Sequence, residues 1–140
     1  MTAIVDAAPI VAAADVRDPN RESVQRVLRE EEGELILPAQ VSAEIDYLLR
    51  TRIGQRSSAA FLGDLARRRF LVACLDPEEY QDVLVLDRRY ADLGPGLTDL
   101  SIVVLAKRFE CRRLISFDER DFRAMTPLQG GTFKLLPADR

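Results

Sequence analysis

Five short apolar runs constrain the architecture more than any other feature. They cover residues 3–5, 35–37, 70–73, 113–116 and 133–136. None shows the strict alternation of a strand with one wet face, so both faces of the sheet should be covered. Between the runs, apolar residues return at helical spacing. Val24, Val27 and Leu28 form one stripe, Val41, Ile45, Leu48 and Leu49 a second, and Ala60, Phe61 and Leu65 a third. Strands alternating with helices predict a three-layer α/β/α fold built on a parallel sheet of about five short strands. The 140 residues match one ordinary domain. With no repeat, low-complexity tract or linker, residues 1–140 read as a single domain.

Helix signals fall at regular intervals. Pro9 suits the first turn of an alanine-rich helix over residues 7–14. Asp18 and Pro19 suggest the cap of a helix running to about residue 31, where Gly33 stops it. A helix from Ala39 is broken at Gly54, and another covers 57–68 with Ala60, Phe61 and Leu65 facing inward. Pro77 opens a helix reaching about Tyr90, with Tyr80, Val83, Leu84 and Asp87 periodic. After the Gly94-Pro95-Gly96 loop, Thr98 reads as an N-cap and Asp99 falls in the first turn of a helix ending near Phe109. Residues 117–123 form a tight turn or short helix.

The chain has no histidine, which excludes serine triads, histidine-ligated zinc hydrolases and haem held by histidine. Cys74 and Cys111 make neither a disulfide framework nor a zinc cluster. No phosphate-binding glycine loop is present. Acid–base work must therefore fall to carboxylates. In an open α/β sheet, sites form beyond the carboxyl ends of the strands. Asp6 follows the first run directly, Glu44 sits early in the helix after the second, Asp99 opens a helix, and Asp118 comes two residues after the fourth run. Each acid alone could serve as a cap or a helix-dipole partner. Four of them converging would repel unless a cation intervenes, and oxygen-only clusters suit Mg²⁺ or Mn²⁺. Such a site fits phosphodiester hydrolysis. A phosphoaspartate receiver fits poorly, because the third run ends in Ala73-Cys74 and Lys107 falls within a helix.

The net charge of -3 hides clumping. Glu30, Glu31, Glu32 and Glu34 form an acidic knot, residues 50–69 hold six arginines and one aspartate, and Lys107, Arg108, Arg112 and Arg113 form another basic group. Arginine suits bidentate contacts to phosphate or carboxylate, so these groups fit RNA, an acidic partner or a solvated surface.

Ile4-Val5-Asp6, Ser42-Ala43-Glu44, the segment from Leu97 through Thr98-Asp99 to Ile102, and Ser116-Phe117-Asp118 followed by Asp121-Phe122 together resemble the PIN-domain ribonucleases of bacterial toxin–antitoxin systems, the VapC toxins. The resemblance runs the length of the chain in family order. It implies a divalent-metal endoribonuclease, using Mg²⁺ or Mn²⁺, that cleaves tRNA or rRNA and inhibits translation. It also implies a homodimer neutralised by a cognate antitoxin. Asp6, Glu44, Asp99 and Asp118 then form the catalytic and metal-binding quartet. Thr98, Ser116 and Asp121 support it, with Asp121 orienting the turn above Phe122. Arg50, Arg52, Arg67, Arg68 and Arg69 become RNA or antitoxin contacts, and Leu48, Leu49, Phe61 and Leu65 divide between core and an antitoxin groove. Many relatives carry serine or threonine shortly after the first aspartate, where this chain has Ala7 and Ala8. The alternative function is a catalytically inactive PIN-like RNA-binding or adaptor protein. The amino terminus shows no leader pattern, and no run approaches the ~18 apolar residues of a membrane span, which predicts a cytoplasmic protein.

Overall fold

In the computed structural model, which describes residues 2–31 and 33–140, β1 (Ala3–Val5), β2 (Leu35–Pro38), β3 (Leu71–Ala73), β4 (Arg113–Ile115) and β5 (Lys134–Leu136) form one sheet. Every pairing is parallel and the order is β3-β2-β1-β4-β5. Ile4 at the centre pairs with Ile36 on one side and Leu114 on the other. The inner strands β1, β2 and β4 are short apolar runs because both faces are buried, whereas the edge strand β3 exposes Leu71 and Val72, against the expectation of a sheet covered throughout. Ala3, Ile4, Val5, Ile36, Leu37, Leu114 and Ile115 are all at most 1% exposed.

Parallel neighbours need crossovers, and helices supply them. α1 (Ala7–Ala14) and α2 (Arg21–Glu30) join β1 to β2, and α3 (Ala39–Arg52) and α4 (Gln55–Ala66) join β2 to β3. A 3₁₀ turn at Pro77–Glu79, α5 (Tyr80–Arg89) and α6 (Leu97–Arg108) lead back to β4, and α7 (Glu119–Ala124) precedes β5. The chain thus builds outward from β1 to β3, then returns to the other side of β1. Helices α1 to α4 pack on one another, as α5 does on α6. Right-handed crossovers in opposite directions place these two groups on opposite faces, giving three layers. The reversal opens a crevice between the carboxyl ends of β1 and β4.

Helix α6 is apolar on every side, and Leu100 through Ala106 are all buried. Within that run the Ser101 hydroxyl donates to the Leu97 carbonyl at 2.7 Å, which satisfies its buried polar group. Each large aliphatic side chain buried there contributes roughly 1.5–3 kcal/mol. Between α3 and α4, Gly54 has φ +146, a conformation closed to residues with a Cβ.

Several expectations shift. Leu97, preceded by Gly96, starts α6, so Thr98 is its second residue and not its cap. The extended backbone of Gly96 (φ -84, ψ 175) supplies the entry without any side-chain oxygen. On α5 the inward face is Val83, Leu86 and Tyr90, while Tyr80 and Leu84 are exposed. Both stripes are helically periodic, and packing on α6 selects between them. Ala60 is exposed on α4, which spans 55–66, and Cys74 is exposed too. The charge clumps are largely internal partners. Glu31 pairs with Arg113, Glu30 with Arg140, Arg108 with Glu79, and Lys107 with Asp82 at 3.6 Å; Arg112 donates to the carbonyls of Gln129 and Gly130. Glu32 lies outside the described residues. Among the described residues no helix is long and apolar enough to cross a membrane.

Candidate active site

The crevice collects the acids. Asp6 leaves β1 in extended conformation and caps α1, its Oδ1 accepting from the Ala7 amide at 2.8 Å. Its Oδ2 accepts from the Ser116 hydroxyl at 2.8 Å. Both carboxylate oxygens are thereby aimed. Ser116 provides the polar contact that Ala7 and Ala8 cannot. The Ser116 oxygen also accepts from the Asp118 amide at 3.1 Å, which ties the end of β4 to the end of β1. Asp118 caps α7, its Oδ1 accepting from the Asp121 amide at 3.0 Å. Capping and site-building are therefore compatible uses of the same two aspartates.

Asp99 lies in the first turn of α6, half-buried. Asp99, Asp118 and Asp121 each bring one carboxylate oxygen within 4.8 Å of the other two. Asp121 thus stands among the facing acids, with its backbone oriented by Asp118, while Phe122 packs beneath against Phe133. Asp6 and Glu44 stand outside this trio and act on it through their charge. Burial, followed by repulsion from Asp6, Asp118, Asp121 and Glu44, pushes the Asp99 carboxyl up to about 7. Asp6 exerts the largest of these charge effects although it is not in the trio. It sits deeper, where the field is less screened. Burial likewise raises Asp6, opposed by its bonds to Ser116 and Ala7. Glu44 is raised by burial and by Asp6, and lowered by Arg52.

A cleft of about 530 Å³ lies over these groups, lined by Asp6, Glu44, Thr98, Asp99 and Arg52 among others. Thr98 reaches the cleft from the helix interior. Arg52 is the one cation lining it among the described residues. The other arginines lie elsewhere. Arg50 donates to Ser58 at 2.9 Å and faces Asp46 at 3.7 Å, which ties α3 to α4. Arg67 and Arg69 pair with Asp64 at 3.8 and 3.4 Å. Arg67, Arg68 and Arg69 precede β3, and in a parallel sheet that puts them at the amino edge. Arg68 and Arg69 there line a groove with Gly33, Glu34 and Leu35 at the start of β2. Leu49 and Phe61 are core, whereas Leu48 lines the acidic cleft. Ser42 spends its hydroxyl on the Ala39 carbonyl at 2.6 Å.

Sequence reading missed Asp18, Asn20 and Phe117, which also line the cleft. Asp18 and Asn20 look like helix-cap chemistry, and Phe117 looks like core. Asn20 does hold the N-cap position of α2, but its side chain makes no capping bond. That failure is invisible without coordinates.

An oxygen-only cluster at the topological switch of a parallel sheet, with one carboxyl pushed up to about 7 by burial and by its acidic neighbours, defines the acidic-site class of α/β hydrolases that can hold a hard divalent cation. Residues 3–126 match the PIN domain, and the chain belongs to that family. It is 31% identical to Ribonuclease VapC26 of Mycobacterium tuberculosis over 134 residues, 96% of this chain and 99% of that one. Solved structures share the fold. The sarcin-ricin loop cleaving toxin VapC20 of Mycobacterium tuberculosis superimposes with a TM-score of 0.76 at 15% identity, covering 86% of this chain and 92% of that one. VapBC2 from Rickettsia felis, bound to a DNA fragment from its promoter, gives 0.69 at 15% identity, covering 96% and 98%. A toxin–antitoxin complex from Klebsiella pneumoniae gives 0.68 at 14%, covering 88% and 92%.

Proposed function

We propose that this chain is a divalent-metal-dependent endoribonuclease, the toxin of a toxin–antitoxin pair, working in the cytoplasm as one domain over residues 1–140. The observation that carries the reading is the approach of Asp99, Asp118 and Asp121, each with a carboxylate oxygen within 4.8 Å of the other two, beside a cleft lined by Asp6, Glu44 and Asp99. Such crowding is unfavourable for a folded chain unless a cation offsets it. The donor set is all oxygen, which fits Mg²⁺ or Mn²⁺. Asp99, Asp118 and Asp121 would hold the ion, with Asp6 and Glu44 completing its acidic surroundings. When bound, the ion supplies charge stabilisation for the phosphate and lowers the pKa of an attacking water. Ser116 and the Ala7 amide fix Asp6, and the Asp121 amide fixes Asp118. Thr98 adds a hydroxyl to the cleft wall. Arg52 holds a substrate phosphate at the rim, where a planar guanidinium suits that anion.

Structured RNA, tRNA or rRNA, is the substrate, and its cleavage stops translation. Support comes from two similar proteins, the ribonuclease VapC26 and the sarcin-ricin loop cleaving toxin VapC20. A cognate antitoxin docks in the apolar groove of about 350 Å³ lined by Ile10, Leu28, Leu49, Ala60 and Phe61. Asp64 lines the same groove and carries Arg67 and Arg69 beside it, where they can meet an acidic antitoxin segment. Tyr80, Leu84 and Val85 leave an apolar face on α5 that suits a homodimer.

The test is cleavage of matched RNA and DNA by the purified chain, in Mg²⁺, in Mn²⁺ and in EDTA. RNA cuts that need the ion and disappear in Asp99→Asn support the reading. Metal-independent cutting, or none in any RNA, contradicts it.

A further inference from the structure

Five of the six phenylalanines, Phe61, Phe70, Phe109, Phe122 and Phe133, belong to the hydrophobic core or pack against it, and Phe117 does not. Phe117 is half-buried between Ser116 and Asp118, and it lines two adjoining cavities. One is the acidic cleft. The other, of about 460 Å³, is lined by Asn20, Ser23, Ser116, Phe117, Glu119 and Pro137, among others. Asn20 is also common to both. Ser116 forms part of the second cavity while its hydroxyl reaches Asp6 in the first, so the two spaces meet at the catalytic acids.

We infer that this second cavity receives a nucleobase adjoining the cleaved phosphate, stacked on Phe117 and read at its edge by Asn20 and Glu119. The inference rests on the ribonuclease reading above and names how that site selects its substrate. An aromatic ring outside the core offers a face on which any base can stack. The edge readers are supplied by groups that local structure leaves available. Asn20 does not cap α2, so its amide can both donate and accept. Glu119 is braced through Oε1 by Arg123, with contacts of 2.7 and 3.1 Å, which positions the carboxylate as an acceptor. Ser23 gives its proton to the Asn20 carbonyl at 2.9 Å, leaving oxygen lone pairs. An acceptor-rich edge of this kind selects a base carrying an exocyclic amino group, namely guanine, adenine or cytosine over uracil. Pro137 adds an apolar stretch to the pocket wall that does not compete for hydrogen bonds.

The experiment maps cut sites on a stem-loop RNA library with randomised loops in Mg²⁺ for the wild type, Phe117→Ala, Phe117→Tyr, Asn20→Ala and Glu119→Gln. The wild type should cut beside an amino-bearing base. Phe117→Ala should raise KM roughly tenfold, the scale of one base stack, and Phe117→Tyr should restore it. Asn20→Ala and Glu119→Gln should flatten the base preference, with kcat/KM at the preferred base falling toward that at the others. Both are exposed positions, so they decide the matter even if Phe117→Ala does not fold. Wild-type cut patterns retained in Asn20→Ala and Glu119→Gln, or a preference for uracil, would overturn the inference while leaving the nuclease standing. A wild type that cuts no RNA overturns both.

Discussion

At the amino edge of the sheet, Glu31 is only 9% exposed and is held by Arg113, the first residue of β4. At the carboxyl edge, beyond the last residue of that same strand, Ser116 and Asp118 face Asp6, Asp99 and Asp121, and Arg52 at the cleft and Arg120 beside Asp121 offset only part of this charge. The first arrangement is a closed ion pair. The second is a set of like charges in which burial and the neighbouring acids make Asp99 harder to ionise. Buried pairs serve the fold, and unbalanced acids in a cleft mark chemistry. One short strand therefore carries a paired charge at one end and the acidic cluster proposed as the active site at the other.

Asp99→Asn should break the comparison most severely. It keeps the shape of the side chain and removes one charge from the cluster. RNA cleavage should fall by about a thousandfold or more, because the ion's charge stabilisation is worth several kcal/mol. Single-turnover assays at saturating Mg²⁺ would check this, and a loss below tenfold would remove Asp99 from the site. Ser116→Ala should act next most strongly. It deletes the hydroxyl that aims Asp6 and holds its pKa down. Metal affinity should drop about 10–100-fold with the fold intact, as measured by Mn²⁺ titration.

The arginines sharpen the contrast at the smallest scale. Arg52→Gln should reduce the salt dependence of RNA binding by about one phosphate contact. Replacing Arg67, Arg68 and Arg69 together should leave that slope unchanged, because they belong to the amino edge. Binding titrations over a salt series would separate the two. A flatter slope in the triple variant alone would reverse the assignment.

The sequence makes the sheet legible because its short strands read as unbroken apolar runs, including β3, whose Leu71 and Val72 are exposed at the sheet edge. Asp6, Asp99 and Asp118 are legible with it, because parallel strands send all their carboxyl ends to one edge. The same rule applied to residues 67–69 would have sent them to the other edge. Charge density obscured that inference, since six arginines near one another suggest a patch whichever way they point. Other features depend on packing alone. Nothing in the spacing distinguishes Gly96 from Thr98 as the start of α6, or the Val83–Leu86 face of α5 from the Tyr80–Leu84 face. The closeness of Asp121 to Asp99 arises where a crossover helix meets the turn after β4, and no local pattern encodes that.

Parallel amide substitutions test whether the two edges carry charge of opposite thermodynamic sign. Asp99→Asn and Glu31→Gln would be unfolded with denaturant in EDTA, between pH 4 and pH 8. An acid raised from 3.8 to about 7 in the folded state favours folding only while protonated. The wild type should therefore lose stability from this group as pH rises across that window, and Asp99→Asn should not. Near pH 8 Asp99→Asn should be more stable than wild type by roughly 1–2 kcal/mol, after allowing for solvent screening of a half-exposed group. Glu31→Gln should be less stable by roughly 3 kcal/mol, because it strands Arg113 in a largely buried position. Added Mg²⁺ should stabilise the wild type and Glu31→Gln, and Asp99→Asn far less. Destabilisation of both variants in EDTA, with equal stabilisation by Mg²⁺, would contradict the account.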